Sequence, residues 1–401
     1  MPHSSAGSAP LNPHVRSATR VAVTGAYAAQ GLGYAVVVTS LPALKTRQGV
    51  DDTVVALIVL GVALAAAVGS VAANAVAVRF GSRTALVTGL IVQAIALPII
   101  AVPTPFPLFA AAWGLFGVGL GCVDAAATMQ GVTVQRARGQ HLLGGFFAAA
   151  TAASIVGALL VSVVALSAAA AGVAIAAAAL ITLTAALVGL RHFARDRPVD
   201  AVLPSRERAR LPRAGIWVFG FVVLAVFIAD SAVSMWSSVY LFDDLGTAAW
   251  VAPLGYAAYQ GVVLISRLAT DRLVPMVGRA RLVRLAAITA AVGCVLVATV
   301  PVPVVAVAGF AVAGVAAGIL IPVTFGAAGD LAPAHSDQVI ARVNLFNYAG
   351  AILGAVVLGL LADGPGLGIA FLLPAVALVA ILLVAPRFRS DARPVAASVS
   401  R

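Results

Sequence analysis

Charged residues are scarce in this chain: Asp, Glu, Lys and Arg together make up 10% of its 401 residues. Soluble domains usually carry about 25% charged residues. Hydrophobic residues make up 62% of the chain, and the mean hydropathy is +1.07. Because a water-soluble fold of this length does not need so much apolar surface, the composition excludes most soluble functions and indicates an integral membrane protein.

Cysteine and catalytic motifs are also scarce. The two cysteines, Cys122 and Cys294, lie in apolar segments far apart in the sequence. We interpret them as small packing residues and not as a disulfide or a metal site. The chain has no HExxH, Walker, GxSxG or CxxC motif. The sequence therefore predicts no enzyme activity, no catalytic residues, no cofactor and no metal.

Long polar stretches are missing from most of the chain. A helix of about 20 apolar residues crosses a bilayer core of about 30 Å, and helices satisfy their own backbone hydrogen bonds in lipid. The sequence predicts an all-α integral membrane fold with twelve transmembrane helices. The predicted spans are 20–41, 53–78, 84–102, 107–133, 143–166, 169–190, 216–241, 248–270, 282–300, 304–329, 343–362 and 368–386.

The positive charges follow the breaks between these spans. The net charge is +11, but the cations form no stripe of the kind that binds nucleic acid. Of the 25 Lys and Arg residues, 23 fall on one side of the predicted membrane, and only Lys45 and Arg47 fall on the other. Because basic loops stay in the cytoplasm, we predict a multi-pass protein of the cell (cytoplasmic) membrane with both termini cytoplasmic. We expect a monomer in the lipid bilayer, with no nucleic-acid partner.

One long hydrophilic connection divides the spans into two sets of six, which favours two helical bundles side by side. The predicted organisation is a cytoplasmic N-terminal tail (1–19), an N-terminal six-helix bundle (20–190), a cytoplasmic central loop (191–215), a C-terminal six-helix bundle (216–386) and a cytoplasmic C-terminal tail (387–401).

Each half places a basic, glycine-containing turn after its second span. Residues 74–83 read NAVAVRFGSR, and residues 266–279 read SRLATDRLVPMVGR. Both resemble the G-x-L-x-D-R-x-G-R-R signature of the major facilitator superfamily, although Asn74 and Val78 replace its Gly and its Asp. The resemblance covers nearly the whole chain, through twelve spans, two halves and paired motifs. It implies the fold and the transport function of that superfamily.

Two further segments resemble a group of largely uncharacterised bacterial inner-membrane permeases. Residues 121–131 are similar to part of helix 4 in that group, and residues 229–241 are similar to part of helix 7. Thr128 and Met235 replace an Asn and an acid of the group pattern, and Phe147 stands where the group often has His. Each of these replacements removes a polar group, so details of substrate and coupling do not transfer directly.

The superfamily resemblance implies a cytoplasmic gate at the two basic turns. In the superfamily, an acidic residue there pairs with Arg in one state and releases it in the other. Asp271 keeps this option with the Arg residues of its own turn, whereas Val78 removes it from the first half. The alternative is that these Arg residues only anchor topology and bind anionic lipid headgroups. The gate candidates are Arg79, Gly81, Arg83, Arg267, Asp271, Arg272, Gly278 and Arg279.

Two carboxylates lie inside predicted spans: Asp124 past the middle of span 4, and Asp230 near the middle of span 7. An ionisable group at mid-membrane costs about 2.5–3.5 kcal/mol on insertion scales, and an apolar surrounding favours the neutral form of a carboxyl group. We expect no Lys, Arg or His deep in any span as a permanent counter-ion. Asp230 and Asp124 are therefore candidates for proton coupling; the alternative is static hydrogen bonding between helices.

Other polar side chains in the spans are candidates for substrate contacts. Those of spans 1 and 11 recur at intervals of three and four residues and so share a helix face. In the superfamily, helices 1, 4, 7 and 10 line the cavity, with 2, 5, 8 and 11 beside them. The alternative is interhelical hydrogen bonding, worth on average about 0.6 kcal/mol per bond. The candidates are Tyr27, Gln30, Tyr34, Gln130, Trp236, Tyr240, Tyr256, Tyr259, Gln260, Asn344, Asn347 and Tyr348.

Glycine motifs and one proline predict local helix geometry. Nucleotide binding by residues 117–119 is disfavoured because no strand precedes them. Pro322 predicts a bend in span 10. Three small-residue motifs predict close helix approach: Gly117-x-x-x-Gly121, Gly314-x-x-x-Gly318 and Gly350-x-x-x-Gly354.

The leading interpretation is a secondary active transporter that moves a small, neutral or weakly polar organic solute by alternating access, with protons as the coupling ion. The sparse intramembrane charge argues against a strongly anionic solute. A proton-driven exporter of drugs or secondary metabolites is an alternative, although span 5 lacks the Gly-Pro pair usual in such antiporters. A non-transporting sensor or binding protein is an alternative of another class. The central loop is too short to fold alone and support it. A channel is a third, but no filter signature is present.

Overall fold

A computed structural model describes residues 13–140, 142–167, 171–195, 211–332, 335–362 and 364–388. Within these ranges helix is the only regular secondary structure, which confirms the all-α prediction. Several predicted features lie partly or wholly outside the described residues: the two tails, the central loop and the break between spans 5 and 6.

The membrane helices agree with the predicted spans to within a few residues at most ends. They are α1 (Pro13–Thr39), α2 (Asp52–Phe80), α3 (Ser82–Ala101), α4 (Phe106–Arg138), α5 (Leu143–Leu166), α6 (Gly172–His192), α7 (Arg213–Asp244), α8 (Ala252–Val277), α9 (Arg279–Thr299), α10 (Pro303–Asp330), α11 (Ser336–Ile352, continued by Leu353–Val357 and Leu358–Ala362) and α12 (Leu367–Ala370 with Leu372–Val384).

Eleven helices in the described part of the chain are long and apolar enough to cross a membrane. Helix α8 is not among them, although it has 26 residues. It carries Tyr256, Tyr259, Gln260 and Arg267, which lower its hydropathy. The count of twelve spans therefore stays a prediction for this helix.

Three stretches turn with π-helical hydrogen bonding, which the sequence analysis did not predict. They lie at Tyr240–Asp244 in α7, Ala316–Leu320 in α10 and Leu353–Val357 in α11. The stretch in α10 ends just before Pro322, so the regular α-helical pattern is interrupted where the bend was predicted. Such stretches are rare and often occur at functional sites.

The helices form two compact units. Of the described residues, the first unit comprises 13–195 together with Ala248–Ala257, and the second comprises 211–247 and 258–388. In the first unit, α2 packs on α4, α1 on α5, and α3 on α4 and α6. In the second, α7 packs on α11 and α12, and α9 on α10 and α12.

The small-residue motifs place helix backbones in contact, as predicted. A Cβ added at Gly117 of α4 would lie 2.6 Å from the carbonyl oxygen of Val62 in α2. A Cβ added at Gly314 of α10 would lie 2.5 Å from the carbonyl oxygen of Tyr259 in α8, and Gly354 of α11 meets the backbone of α7 in the same way. These approaches leave no room for a side chain, so the prediction of close helix approach is confirmed.

A short helix, Leu41–Gln48, follows α1 and was not predicted. Its Arg47 donates to the carbonyl oxygens of Ile100 at 2.6 Å and Ala101 at 2.8 Å. These carbonyls end α3, where a cation complements the helix dipole. Burial lowers the pKa of Arg47 from its ordinary value. Arg47 thus holds the short helix against the end of α3.

Candidate functional site

Asp124 of α4 is the ionisable centre of the first unit. Its Oδ1 accepts a hydrogen bond from Nε2 of Gln30 in α1 at 2.9 Å, and the same nitrogen donates to the carbonyl oxygen of Leu120 at 3.3 Å. Asp124 forms no salt bridge among the described residues. A neutral amide is therefore the group that holds this carboxylate in place.

Gln93 of α3 completes the arrangement and was missed in the sequence analysis. Its Nε2 donates to Oε1 of Gln30 at 2.8 Å, and its side chain is buried. The signal was present, since Gln93 is a lone amide in a strongly apolar span. Buried polar groups are usually hydrogen-bonded, so a partner for Gln93 could have been sought.

Aromatic rings lie beside this carboxylate. Tyr27 stacks on Phe146 with ring centroids 5.4 Å apart, and it meets the exposed ring of Phe147 edge-on at the same distance. The Tyr27 hydroxyl is buried beside Thr128 and has no hydrogen-bond partner of acceptable geometry in the described part of the chain. Phe147 thus places an aromatic ring close to Asp124 and its hydrogen-bond partners. The bacterial permeases that this chain resembles often have His at this position.

Asp230 of α7 is the corresponding centre of the second unit. The hydroxyl of Tyr259 in α8 donates to its Oδ1 at 2.6 Å. One expectation from the sequence was wrong here. Because α8 continues to Val277, past the predicted end at residue 270, Arg267 lies well inside a helix. Arg267 interacts electrostatically with Asp230 and Tyr259, so one cation does accompany an intramembrane acid.

Six substrate candidates are buried, and two of them, Tyr27 and Tyr259, are described above. Of the other four, three link helices by hydrogen bonds. Gln130 bonds Ser82 at 2.7 Å and also exchanges hydrogen bonds with the backbone of Ala194. The Trp236 indole donates to the carbonyl oxygen of Ala355 at 2.7 Å, and the Tyr240 hydroxyl to that of Val297 at 3.0 Å. Tyr256 is also buried. The sequence showed these residues as polar side chains within helices. It could not distinguish a residue that hydrogen-bonds between helices from one that binds a solute.

Six substrate candidates have exposed surface in this structure. Tyr348 is half exposed, and the others are half-buried. These candidates are Gln30, Tyr34, Gln260, Asn344, Asn347 and Tyr348.

Two of the gate candidates are glycines in turns, and a third forms a salt bridge. Gly81 and Gly278 join α2 to α3 and α8 to α9, with φ of 86° and 81°. Arg279 pairs with Asp330 at the end of α10, with 2.5 Å between Nη1 and Oδ2. Asp271 is exposed and forms no salt bridge among the described residues. The acid that holds an Arg of this turn is therefore Asp330 and not Asp271.

The remaining gate candidates lie at the surface of the described structure. Arg79 and Arg272 are exposed, and Arg83 is half-buried. In the described part of the chain, no three His, Cys, Asp or Glu side chains come together in a way that could hold a metal ion.

Comparison with known proteins identifies the class. The family description "Major Facilitator Superfamily" matches residues 23–310 and 276–400. The chain belongs to the major facilitator superfamily, and it is a multi-pass transporter and not an enzyme.

Individual relatives and structures agree with this class. An uncharacterised MFS-type transporter of Yersinia pestis is 25% identical over 343 residues, which are 85% of this chain and 88% of that protein. A variant of the nucleoside transporter NupG is similar in fold, with a TM-score of 0.76 at 13% identity over 92% of this chain and 99% of that one. The D-xylose-proton symporter gives 0.72 at 15% identity, over 93% and 97%.

Proposed function

We propose that this protein is a proton-coupled secondary transporter of a small, neutral or weakly polar organic solute in the bacterial cytoplasmic membrane, with both termini cytoplasmic. It works by alternating access, the general mechanism of its superfamily. The observation that carries the proposal is the placement of Asp124: an intramembrane carboxylate held by a neutral amide, without a paired cation in the described structure. Such a group can gain and lose a proton without first breaking a salt bridge.

The two acids suit different roles. Asp230 has Tyr259 as a hydrogen-bond donor and Arg267 as a nearby positive charge, both of which favour its charged form. Asp124 has a neutral donor only. We therefore assign proton exchange first to Asp124, and we assign to Asp230 the role of a fixed acceptor for solute hydroxyl or amine groups.

The surroundings of Asp124 also suggest the solute. A carboxylate, an amide and the exposed hydroxyl of Thr128 offer hydrogen bonds, and the exposed ring of Phe147 offers an apolar face nearby. This combination suits a ring that carries hydroxyl groups. The fold relatives described as carrying nucleosides and D-xylose give the first solutes to try.

The test is uptake into liposomes that contain the purified protein. Nucleosides and pentoses are screened with an imposed proton gradient and without one. We expect uptake of at least one solute to accelerate with the gradient, and Asp124→Asn to abolish that acceleration while uptake down a solute gradient remains. Acceleration that persists in Asp124→Asn would refute the assignment to Asp124. Binding without any uptake would favour a sensor.

A further inference from the structure

Gln93 is a buried polar residue of the first unit that neither the solute nor the proton is proposed to touch. Its side chain is 2% exposed, and its amide nitrogen donates to Oε1 of Gln30 at 2.8 Å. An amide in an apolar helix costs free energy unless it is hydrogen-bonded. Its place beside the Asp124 cluster therefore requires an explanation.

Gln30 links Gln93 to the carboxylate. A primary amide has its donors on one side and its acceptor on the other. Because Gln93 donates to Oε1 of Gln30, the Nε2 of Gln30 faces Asp124 and donates to it at 2.9 Å. The three side chains form one directed chain of hydrogen bonds from α3 through α1 to α4.

Helix α4 has a gap that admits the stem of Gln93. A Cβ added at Gly119 would lie 2.6 Å from Cγ of Gln93 and 3.0 Å from its backbone nitrogen. A larger residue at position 119 would push against Gln93. Gly114, on the same helix, has no atom within 4 Å of an added Cβ and so provides a matched control.

We propose that Gln93 is a positioning residue for Asp124: it fixes the one orientation of Gln30 that stabilises the charged carboxylate. The inference rests on the proposed role of Asp124 in proton exchange. When Asp124 takes up a proton, its new O–H becomes a donor that needs an acceptor. The orientation of Gln30 that Gln93 holds presents a donor there instead, so it favours the charged carboxylate over the neutral carboxyl group.

No other charge competes with this chain in the described structure. Tyr27 of α1 is the titratable neighbour of Asp124, and it is neutral at physiological pH. The helices α2, α3 and α5, which also pack on α4 or lie beside it, contribute no charged side chain to Asp124 among the described residues. The orientation of Gln30 is thus the variable that Gln93 controls.

The test is infrared difference spectroscopy of the full chain in lipid bilayers during a pH titration, with the proton as the probe. The carbonyl band of protonated Asp124 is assigned by its loss in Asp124→Asn. In Gln93→Met, which keeps the volume and removes the amide, we expect a larger neutral fraction of Asp124 than in the parent at the same pH. The change should be about threefold or more in the protonation equilibrium, or about half a pH unit.

Further variants separate positioning from general damage. Gln30→Met should shift the band as Gln93→Met does, and Gln93→Met should add nothing in the Gln30→Met background because it acts through Gln30. Gly119→Ala should shift the band in the same direction. Gly114→Ala and Thr182→Val, whose hydroxyl bonds only the Ala178 carbonyl oxygen of its own helix, should leave the titration unchanged.

The outcomes distinguish this inference from the proposed function. If the Asp124 band titrates and Gln93→Met leaves it where it was, or shifts it equally in the Gln30→Met background, the positioning role is wrong and the proton role stands. If the parent has no band that Asp124→Asn removes at any pH, Asp124 does not take up protons, and both proposals are wrong.

Discussion

Tyr259 of α8 donates its hydroxyl to the carboxylate of Asp230 in α7 over 2.6 Å. Arg267, on the same helix as Tyr259, adds an electrostatic interaction with both groups. Helix α8 ends at Val277, directly before the turn at Gly278 that leads into α9. Helix α8 therefore connects the interaction partners of Asp230 to the turn at Gly278, which the sequence predicts to be part of a gate.

Removal of the Tyr259 hydroxyl should weaken transport more than folding. Tyr259→Phe keeps the buried ring and deletes one hydrogen bond to a carboxylate, worth about 1.5–3 kcal/mol, or roughly 10- to 150-fold in a rate that depends on it. The measurement is the initial uptake rate in liposomes at equal protein. Thr299→Val, which removes a hydroxyl bonded only within α9, is the control. Equal losses in both variants would contradict the prediction.

The salt bridge between Arg279 and Asp330 should contribute little to stability and should depend on salt. Its side chains are 35% and 65% exposed. Exposed ion pairs are worth at most about 1 kcal/mol and are screened by salt. Asp330→Asn should thus lower the unfolding temperature slightly at low salt and not at high salt, as measured by thermal unfolding in detergent. Asp271→Asn is the control, and an equal salt-dependent loss there would count against the pairing.

Gly81 should tolerate no side chain. Its φ of 86° and ψ of 156° lie in a region that is essentially restricted to glycine. Gly81→Ala should cost about 1–3 kcal/mol of folding free energy, seen as a lower yield of monodisperse protein and a lower unfolding temperature. Gly25→Ala, at a site with open space around it, should leave both values unchanged. A stable Gly81→Ala protein would show that the turn adopts another conformation.

Close packing of α2 on α4 should depend on Gly121. A Cβ at this position would collide with the carbonyl oxygen of Ala66. Overpacking of this kind costs about 1–3 kcal/mol, so Gly121→Ala should reduce the folded fraction in size-exclusion chromatography. Gly114→Ala on the same helix should behave like the parent. If the two variants were equally stable, the two helices would be less closely packed than described.

Much of the helical architecture could be predicted from the sequence. Lipid requires every backbone group to be bonded within its own helix, so apolar length alone gave helix positions close to those observed. The glycine pairs correctly predicted close helix approach, because the lack of a side chain at each glycine can be read from the sequence alone. The predicted span of α8 ended at residue 270, just before the charged residues Asp271 and Arg272, whereas the helix continues to Val277.

The site was less predictable because hydrogen-bond partners lie far apart in the chain. Gln130 and Gln30 are both amides in apolar helices, yet one is saturated by Ser82 and Ala194 and the other holds Asp124. Asp271 was expected to pair with one Arg of its own turn, but the acid that bonds Arg279 is Asp330, 51 positions away. The spacing of residues along one helix predicts which of them share a face, but it does not predict which group of another helix lies opposite that face.

The sequence by itself determined that this chain is a bundle of membrane helices with its cations at the breaks, because hydrophobic length and charge placement are properties of local composition. Only the tertiary structure decided which polar groups tie helices together and which surround Asp124 and Asp230. A hydrogen bond requires two groups within about 3 Å, and that distance depends on how helices from remote parts of the chain pack.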